Sequence, residues 1–280
     1  MEDIHIRDAT ADNLGDLCRI CVPPEKRDDP TFTKGVEEKR KWAVGMLRAW
    51  GTFAKVAYQG STPAGQIQYK PDPAHRVVYI YCIYVPAPEY WRQGIASLLL
   101  DHLVEDMQCP HIWFDRQLPL ALVTKTFPGE TPGQYSARSF FTRKGFRPVG
   151  EDTDWLYYPL ADGVTLAPET ETEIVEGFFL EEQKVEYVPQ VEDKGKAVIL
   201  YRPSFCPFSY PFFKRAEGYI REVAPETPIR WISQSDAPAE VEKRGGFVGC
   251  IVNAHPIKAF ILDKDRFQKE VRESLRTVSG

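Results

Sequence analysis

The sequence predicts an α/β protein of two domains, and three observations carry this reading. The run Val77–Val85, rich in β-branched and aromatic residues, reads as a strand, followed by the turn-prone link Pro86-Ala87-Pro88-Glu89 and by Gly94-Ile95-Ala96 opening a helix through Ser97–Val104. The hydrophobic pattern around that strand gives the order β-α-α-β-β-β-α. After an acidic stretch at 161–195, a second series begins at Lys196 in the order β-α-β-α-β-β-α. A chain of 280 residues, 43% hydrophobic and 27% charged, is long enough for two globular cores.

The elements follow in order. His5-Ile6-Arg7 is a short strand, and Asn13 to Val22 a first helix entered through Ala9-Thr10-Ala11-Asp12. The basic stretch Lys34 to Trp50 is a second helix, with Trp42, Met46 and Leu47 on one face and Gly51 as its stop. Thr52–Tyr58 and Ala64–Tyr69 form a hairpin joined through Gln59-Gly60-Ser61-Thr62-Pro63. After the helix that begins at Gly94, Pro119–Phe127 is a strand, Pro128–Gly133 a loop, and Tyr135 to Lys144 a short helix stopped by Gly145. Phe146–Val149 and Trp155–Leu160 close the first domain, which spans 1–160. Residues 161–195 carry Glu169, Glu171, Glu173, Glu176, Glu181 and Glu182 and read as an acidic linker. In the second domain, 196–280, Ala197–Tyr201 is a buried strand, and Cys206-Pro207-Phe208-Ser209 opens a helix through Phe212, Phe213, Ala216, Tyr219 and Ile220. Ile229–Ile232 is a strand and Ala239 to Arg244 a short helix. Val248–Val252 and Ile257–Leu262 form a hairpin over Asn253-Ala254-His255-Pro256, and Asp265 to Leu275 is the last helix.

The junction at Gly94 carries the chemistry. The first N–H groups of a helix have no intrahelical partner and the helix dipole is positive there, so small residues at that end let an anionic group approach the backbone. Ile83-Tyr84-Val85, Pro88-Glu89-Tyr90 and Gln93-Gly94-Ile95-Ala96 resemble motif A of the GNAT acyltransferases. Ser139-Phe140-Phe141-Thr142-Arg143-Lys144-Gly145-Phe146 resembles motif B of the same family, so the resemblance covers about residues 4–160. It implies a GNAT acyl-CoA N-acyltransferase fold with acetyl-CoA as co-substrate, held by Ile83, Tyr84, Val85, Trp91, Arg92, Gln93, Gly94, Ile95, Ala96 and Ser97. The family pattern places Arg or Gln three residues before the glycine; here Trp91 stands there and arginine follows at Arg92. The order of the second domain, with a cysteine where its first helix begins, resembles the thioredoxin-like fold. The pairing of the two domains resembles the YoaP-like acetyltransferases.

Acyl transfer to an amine requires that the thioester carbonyl be polarised, the amine deprotonated and the leaving thiolate protonated. The resemblance implies that backbone N–H groups around Ile83 to Val85 polarise the carbonyl. The motif B tyrosine that protonates the thiolate is replaced by Phe141, which cannot donate a proton, leaving Tyr135 or water as the source. No carboxylate stands on the strand before the loop to act as base; His75 precedes it, and Cys82 lies on it near the expected site. Cys206 is a second candidate catalytic thiol. A helix N-terminus lowers a thiol's pKa, and the Cys-x-x-Ser spacing resembles single-cysteine glutaredoxins. A domain used only for packing or substrate recognition is the alternative. Cys18-Arg19-Ile20-Cys21 lies inside a helix with no second ligand pair, so it reads as packing and no metal site is expected.

The net charge of −5 argues against general nucleic-acid binding, and no apolar run is long enough for a membrane span. Scattered cysteines and an acidic, polar start point to a cytoplasmic protein with reduced thiols. The expected activity is acetyl-CoA-dependent N-acetylation of a small-molecule or peptide amine. The rival reading is a thiol-redox, electrophile- or metal-binding protein whose first domain holds CoA without turnover. The sequence leaves the oligomeric state open.

Overall fold

Long alternating strands flanked by turn residues build the first of two sheets. The computed structural model describes residues 4–126, 136–150, 153–166, 186–259, 261 and 263–276. It divides into two compact units, Met1–Pro23 with Trp42–Glu176, and Pro24–Lys41 with Gly177–Gly280.

The first unit holds a seven-stranded sheet in the order β1-β2-β3-β4-β5-β7-β6. Its strands are β1 (Ile4–Asp8), β2 (Ala54–Gln59), β3 (Thr62–Asp72), β4 (Val77–Tyr84), β5 (Ala121–Lys125), β6 (Arg147–Pro148) and β7 (Trp155–Pro159). Every pairing is antiparallel except β4 with β5, which is parallel and therefore needs a crossover. The helix α3 (Ile95–Asp106) lies in that crossover. Ile95, Leu99, Leu100 and Leu103 recur at helical spacing along one face of α3 and pack on Ala57, Ile67, Tyr69, Val78 and Ile80 of the sheet. Phe141 of α4 (Ala137–Arg143), Phe146 and Leu156 complete this core.

Helix α1 (Leu14–Arg19) is shorter than the expected 13–22, because the consecutive Pro23 and Pro24 disfavour helical backbone just ahead of them. Helix α2 (Pro30–Trp50) starts a turn earlier than Lys34. Asp29 accepts the Thr31 N–H at 2.8 Å and Pro30 stands at the first helical position, both favourable at a helix start. Residues 30–41 of α2 group with the second unit and the remainder with the first. Gly51, at φ +76°, ends α2 as expected. The loop at 128–133 and Tyr135 lie outside the described residues; α4 begins after Ser136, whose hydroxyl accepts the Ser139 N–H at 3.2 Å.

The second unit holds a four-stranded sheet in the order β11-β10-β8-β9. The strand β8 (Ala197–Tyr201) is buried along its whole length, pairs in parallel with β9 (Ile229–Ser233) and antiparallel with β10 (Cys250–Val252). The crossover between β8 and β9 runs through α5 (Ser209–Val223); α6 (Pro238–Glu242) and α7 (Lys264–Arg276) follow. Ala216 and Ile220 of α5 and Phe267 and Val271 of α7 pack against Ala197, Ile199 and Val252.

The last hairpin differs from expectation. Its turn is the two residues Asn253-Ala254, both at positive φ, and β11 is His255–Pro256, with the described residues 257–259 and 261 of the expected return strand outside any ladder. The Glu270 carboxylate of α7 accepts the N–H groups of Lys258 and Ala259 at 2.7 and 2.9 Å, drawing those amides away from a ladder. The described end of the acidic stretch is also tied down. Asp193 is fully buried and accepts two bonds from the buried Arg244, at 2.6 and 2.9 Å, and the Tyr187 hydroxyl at 3.0 Å.

Candidate active site

The candidate site is the end of β4 and the loop that leads into α3. The β4–β5 ladder runs from Val77↔Ala121 to Ile80↔Thr124 and stops there. Beyond Ile80, among the described residues, β4 keeps strand pairing only with β3. At the same point β4 carries a bulge: Tyr69 pairs Ile80 while Gln68 pairs Cys82, so Tyr81 is the extra residue. The bulge reverses the side-chain parity. Ile80 and Ile83, three residues apart, both belong to the cluster beneath α3, which a regular strand of period two does not allow. The opening of the sheet therefore coincides with a change in which residues face α3.

The loop is braced from within. Trp91 donates its indole N–H to the Val85 carbonyl at 3.0 Å, and the Gln93 side chain donates to the Glu89 carbonyl. Trp91, the departure from the family pattern, is thus a strut across the loop. Arg92 and Gly94 take left-handed backbone at φ +61° and +81°. Arg92, Gln93 and Gly94 are exposed, Ala96 and Ser97 half-buried, and Ile95 buried in the core. Gly94 is the N-cap of α3 and has no side chain to accept the N–H groups of the first turn, at Ile95, Ala96 and Ser97. A Cβ on Gly94 would meet nothing within 4 Å, so the loop is open at the cap itself. This arrangement fits a pyrophosphate: open approach, first-turn amides and the positive end of a helix dipole.

One residue behind the loop was not read from the sequence. Gly65 of β3 lies against the start of α3; a Cβ there would stand 2.9 Å from Ile95 Cγ2, 3.2 Å from Leu99 and 3.3 Å from Val85. A glycine inside a strand is the signal for such a close approach. Also unread were Gln66 and Gln68, two fully buried amides at alternate positions of β3. Gln66 donates its side-chain N–H to the sulfur of the buried Cys21 at 2.8 Å.

The catalytic candidates separate. Cys82 is half-exposed on β4, beside the bulge. Tyr84 is 37% exposed at the strand's end. Tyr135 lies outside the described residues. Phe141 is buried against Phe140 and Phe146, with ring centroids at 5.2 and 4.9 Å, so its position serves the core. His75 sits in the turn before β4, its Nδ1 2.8 Å from the Asp72 carboxylate. At about 3.3 Å per residue, the length of β4 puts it roughly 25 Å from the loop, too far to act as the base. Tyr79 and Tyr81 stack edge to face at 5.3 Å, and burial pushes the Tyr79 hydroxyl above its ordinary range, against a role as base at neutral pH. No cluster of three metal-ligating side chains occurs among the described residues.

Cys206 departs from the expectation of a low-pKa thiol. Helix α5 starts at Ser209, with Phe208 as its N-cap, so Cys206 precedes the helix by three residues. The residue keeps some exposure, but burial around its sulfur pushes the thiol up; the backbone N–H groups of Phe208 and Ser209 and the charge of Lys39 act in the opposite sense and do not overcome it. The neighbouring Pro207 is pressed against Gly35 of α2, where a Cβ would lie 2.0 Å from the Pro207 carbonyl oxygen.

Residues 21–119, less than half of the 280, match the model of the acetyltransferase (GNAT) family. No curated protein gives a match. Among solved structures, the chain is similar to the PaiA N-acetyltransferase of Thermoplasma acidophilum in complex with coenzyme A, at 17% identity over 55% of this chain and 97% of that one, with a TM-score of 0.39. A GNAT acetyltransferase of Staphylococcus aureus Mu50 is 15% identical over 57% of this chain and 100% of that one, at a TM-score of 0.41. A GNAT acetyltransferase of Brucella melitensis in complex with acetyl-CoA is 14% identical over 60% and 94%, at 0.38.

Proposed function

We propose that this protein is an acetyl-CoA-dependent N-acetyltransferase acting on a small-molecule or peptide amine. The observation that carries the reading is the coincidence, at one place, of the β4–β5 opening, the Tyr81 bulge and the uncapped start of α3 behind Gly94. Acetyl-CoA supplies an activated thioester. The first-turn amides of Ile95, Ala96 and Ser97 hold its pyrophosphate, with Gly94 keeping the approach open and Trp91 and Gln93 holding the loop in shape. The β4 backbone between Tyr81 and Val85, released from β5, offers N–H groups that polarise a thioester carbonyl. Since Phe141 cannot give a proton, the thiolate takes one from Tyr135 or from water, and the strand supplies no carboxylate to remove one from the amine.

The second unit is read as a thioredoxin-like domain that aids substrate recognition or thiol chemistry. Its support is the sheet order β11-β10-β8-β9 with one parallel pair, joined by β-α-β-α-β-β-α connections. The raised Cys206 thiol favours recognition over nucleophilic chemistry. The protein is read as cytoplasmic: none of its six cysteines forms a disulfide, and no described helix is long and apolar enough to cross a membrane. A second reading, CoA binding without turnover, is favoured by Phe141 being committed to the core. Thiol release from acetyl-CoA across a panel of amines tests the two: turnover on any amine supports the enzyme, and binding without release supports the alternative.

A further inference from the structure

The face of the sheet turned away from α3 carries an unusual group. Cross-strand partners point to the same face, so Gln68 shares that face with Cys82, and Gln66 with Tyr84. Ile67, between the two glutamines, pairs Ile83 and packs beneath α3, which fixes the assignment of faces. Gln66 has its thiol partner. Gln68 is fully buried, and neither its amide nitrogen nor its amide oxygen has a hydrogen-bond partner. An unpaired amide in that environment costs free energy and needs an explanation. Its cross-strand neighbour Cys82 is half-exposed, and such pairs stand about 5 Å apart at Cβ, so the amide lies one side chain in from the surface. The group also sits level with the Tyr81 bulge, where the thioester carbonyl is read to lie.

The geometry points to Gln68 as the residue that recognises the acceptor, through an uncharged amide group next to the acceptor's amine: a primary carboxamide, or the N–H and C=O of one extended peptide residue. Such a group satisfies both orphaned atoms at once, its N–H donating to Oε1 and its oxygen accepting from Nε2. On this stretch of the two strands the residues on that face are Gln66, Gln68, Tyr81, Cys82 and Tyr84, none of them a carboxylate, which suits a neutral group over a second cation. This assignment rests on the acetyltransferase reading and narrows its acceptor to peptide-like amines.

The test compares amino-acid amides with alkylamines of the same length as acceptors, in wild type and Gln68→Met. Wild type should prefer the amides by at least about tenfold in kcat/KM, the range expected when a site's polar group is left unpaired by the poorer substrate. Gln68→Met should reduce the preference to about twofold or less, leave acetyl-CoA affinity unchanged, and leave Tm unchanged or raised, since no bond is lost. An active wild type without the preference, or a variant that keeps it, overturns the role of Gln68 and leaves the acetyltransferase reading standing. A variant that keeps the preference and loses Tm makes Gln68 a structural amide bonded through buried water. A wild type that turns over neither class overturns the acetyltransferase reading, and this assignment with it. Should Gln68→Met not fold, Gln68→Asn, which withdraws the carboxamide by one methylene, is expected to lose the preference in its place, and retention there is equally decisive against the role.

Discussion

Gly94 stands where a side chain is least tolerable for both backbone and ligand reasons. Its φ of +81° is strained for any residue with a Cβ, and the open space beyond it is where the anionic group is read to lie. Gly94→Glu should abolish acetyl-CoA binding in a protein that still folds; calorimetric titration showing wild-type affinity would remove the pyrophosphate site from α3. The thiols make a second residue-scale prediction. Cys109 is exposed, Cys206 is raised by burial, and Cys250 is buried and pushed up to about 12. Limited alkylation at neutral pH should therefore label Cys109 ahead of Cys206 and leave Cys250 unlabelled. Between the ordinary thiol value of about 8.5 and about 12, the unfolded chain ionises at Cys250 and the folded protein does not. Stability present below pH 8.5 is lost as pH rises through that window. Denaturant titrations at stepped alkaline pH would measure it, and Cys250→Ala should flatten the alkaline fall.

At the scale of elements, the seating of α3 depends on the absence of one carbon. A Cβ on Gly65 falls within 2.9 Å of Ile95, the first residue of α3. Gly65→Val forces the helix start away from β3. Overpacking of this kind costs about 1–3 kcal/mol, so the variant should lose Tm and bind acetyl-CoA more weakly, because the first-turn amides move with Ile95. Unchanged affinity at reduced Tm would mean that the loop holds its shape through Trp91 and Gln93 alone. Elements were legible where local chemistry sets them. The glycine at the end of α2 could be read directly, and so could the strand from Val77 with its Pro-rich link, whereas the start of α2 at Pro30 lay a turn ahead of the basic run from Lys34 and went unread. The return strand of the last hairpin was not legible, since Glu270, some eleven residues on, decides it by taking two of its amides.

At the scale of the whole molecule, each unit has its own apolar cluster, and the Asp193–Arg244 pair lies in the second unit. Both side chains are fully buried, so Asp193→Ala leaves a guanidinium without its main partner, a loss of about 3–5 kcal/mol for a broken buried pair. Calorimetric unfolding should show a lowered transition for the second unit, while acetyl-CoA affinity in the first is retained; a fall in both would mean that the units unfold together. The sequence by itself determined the α/β class, the order of nearly all the elements and the strand–loop–helix junction at Gly94, because periodicity, proline and glycine act within a few residues. Only the tertiary structure decided where β4 leaves β5, that Tyr81 is bulged so that Ile80 and Ile83 share a face, that Trp91 braces the loop, that Cys206 is desolvated, and that Gln68 is buried without a partner. Each of these depends on what a neighbouring strand, helix or loop places against the residue, and that is a matter of packing between segments distant in the chain.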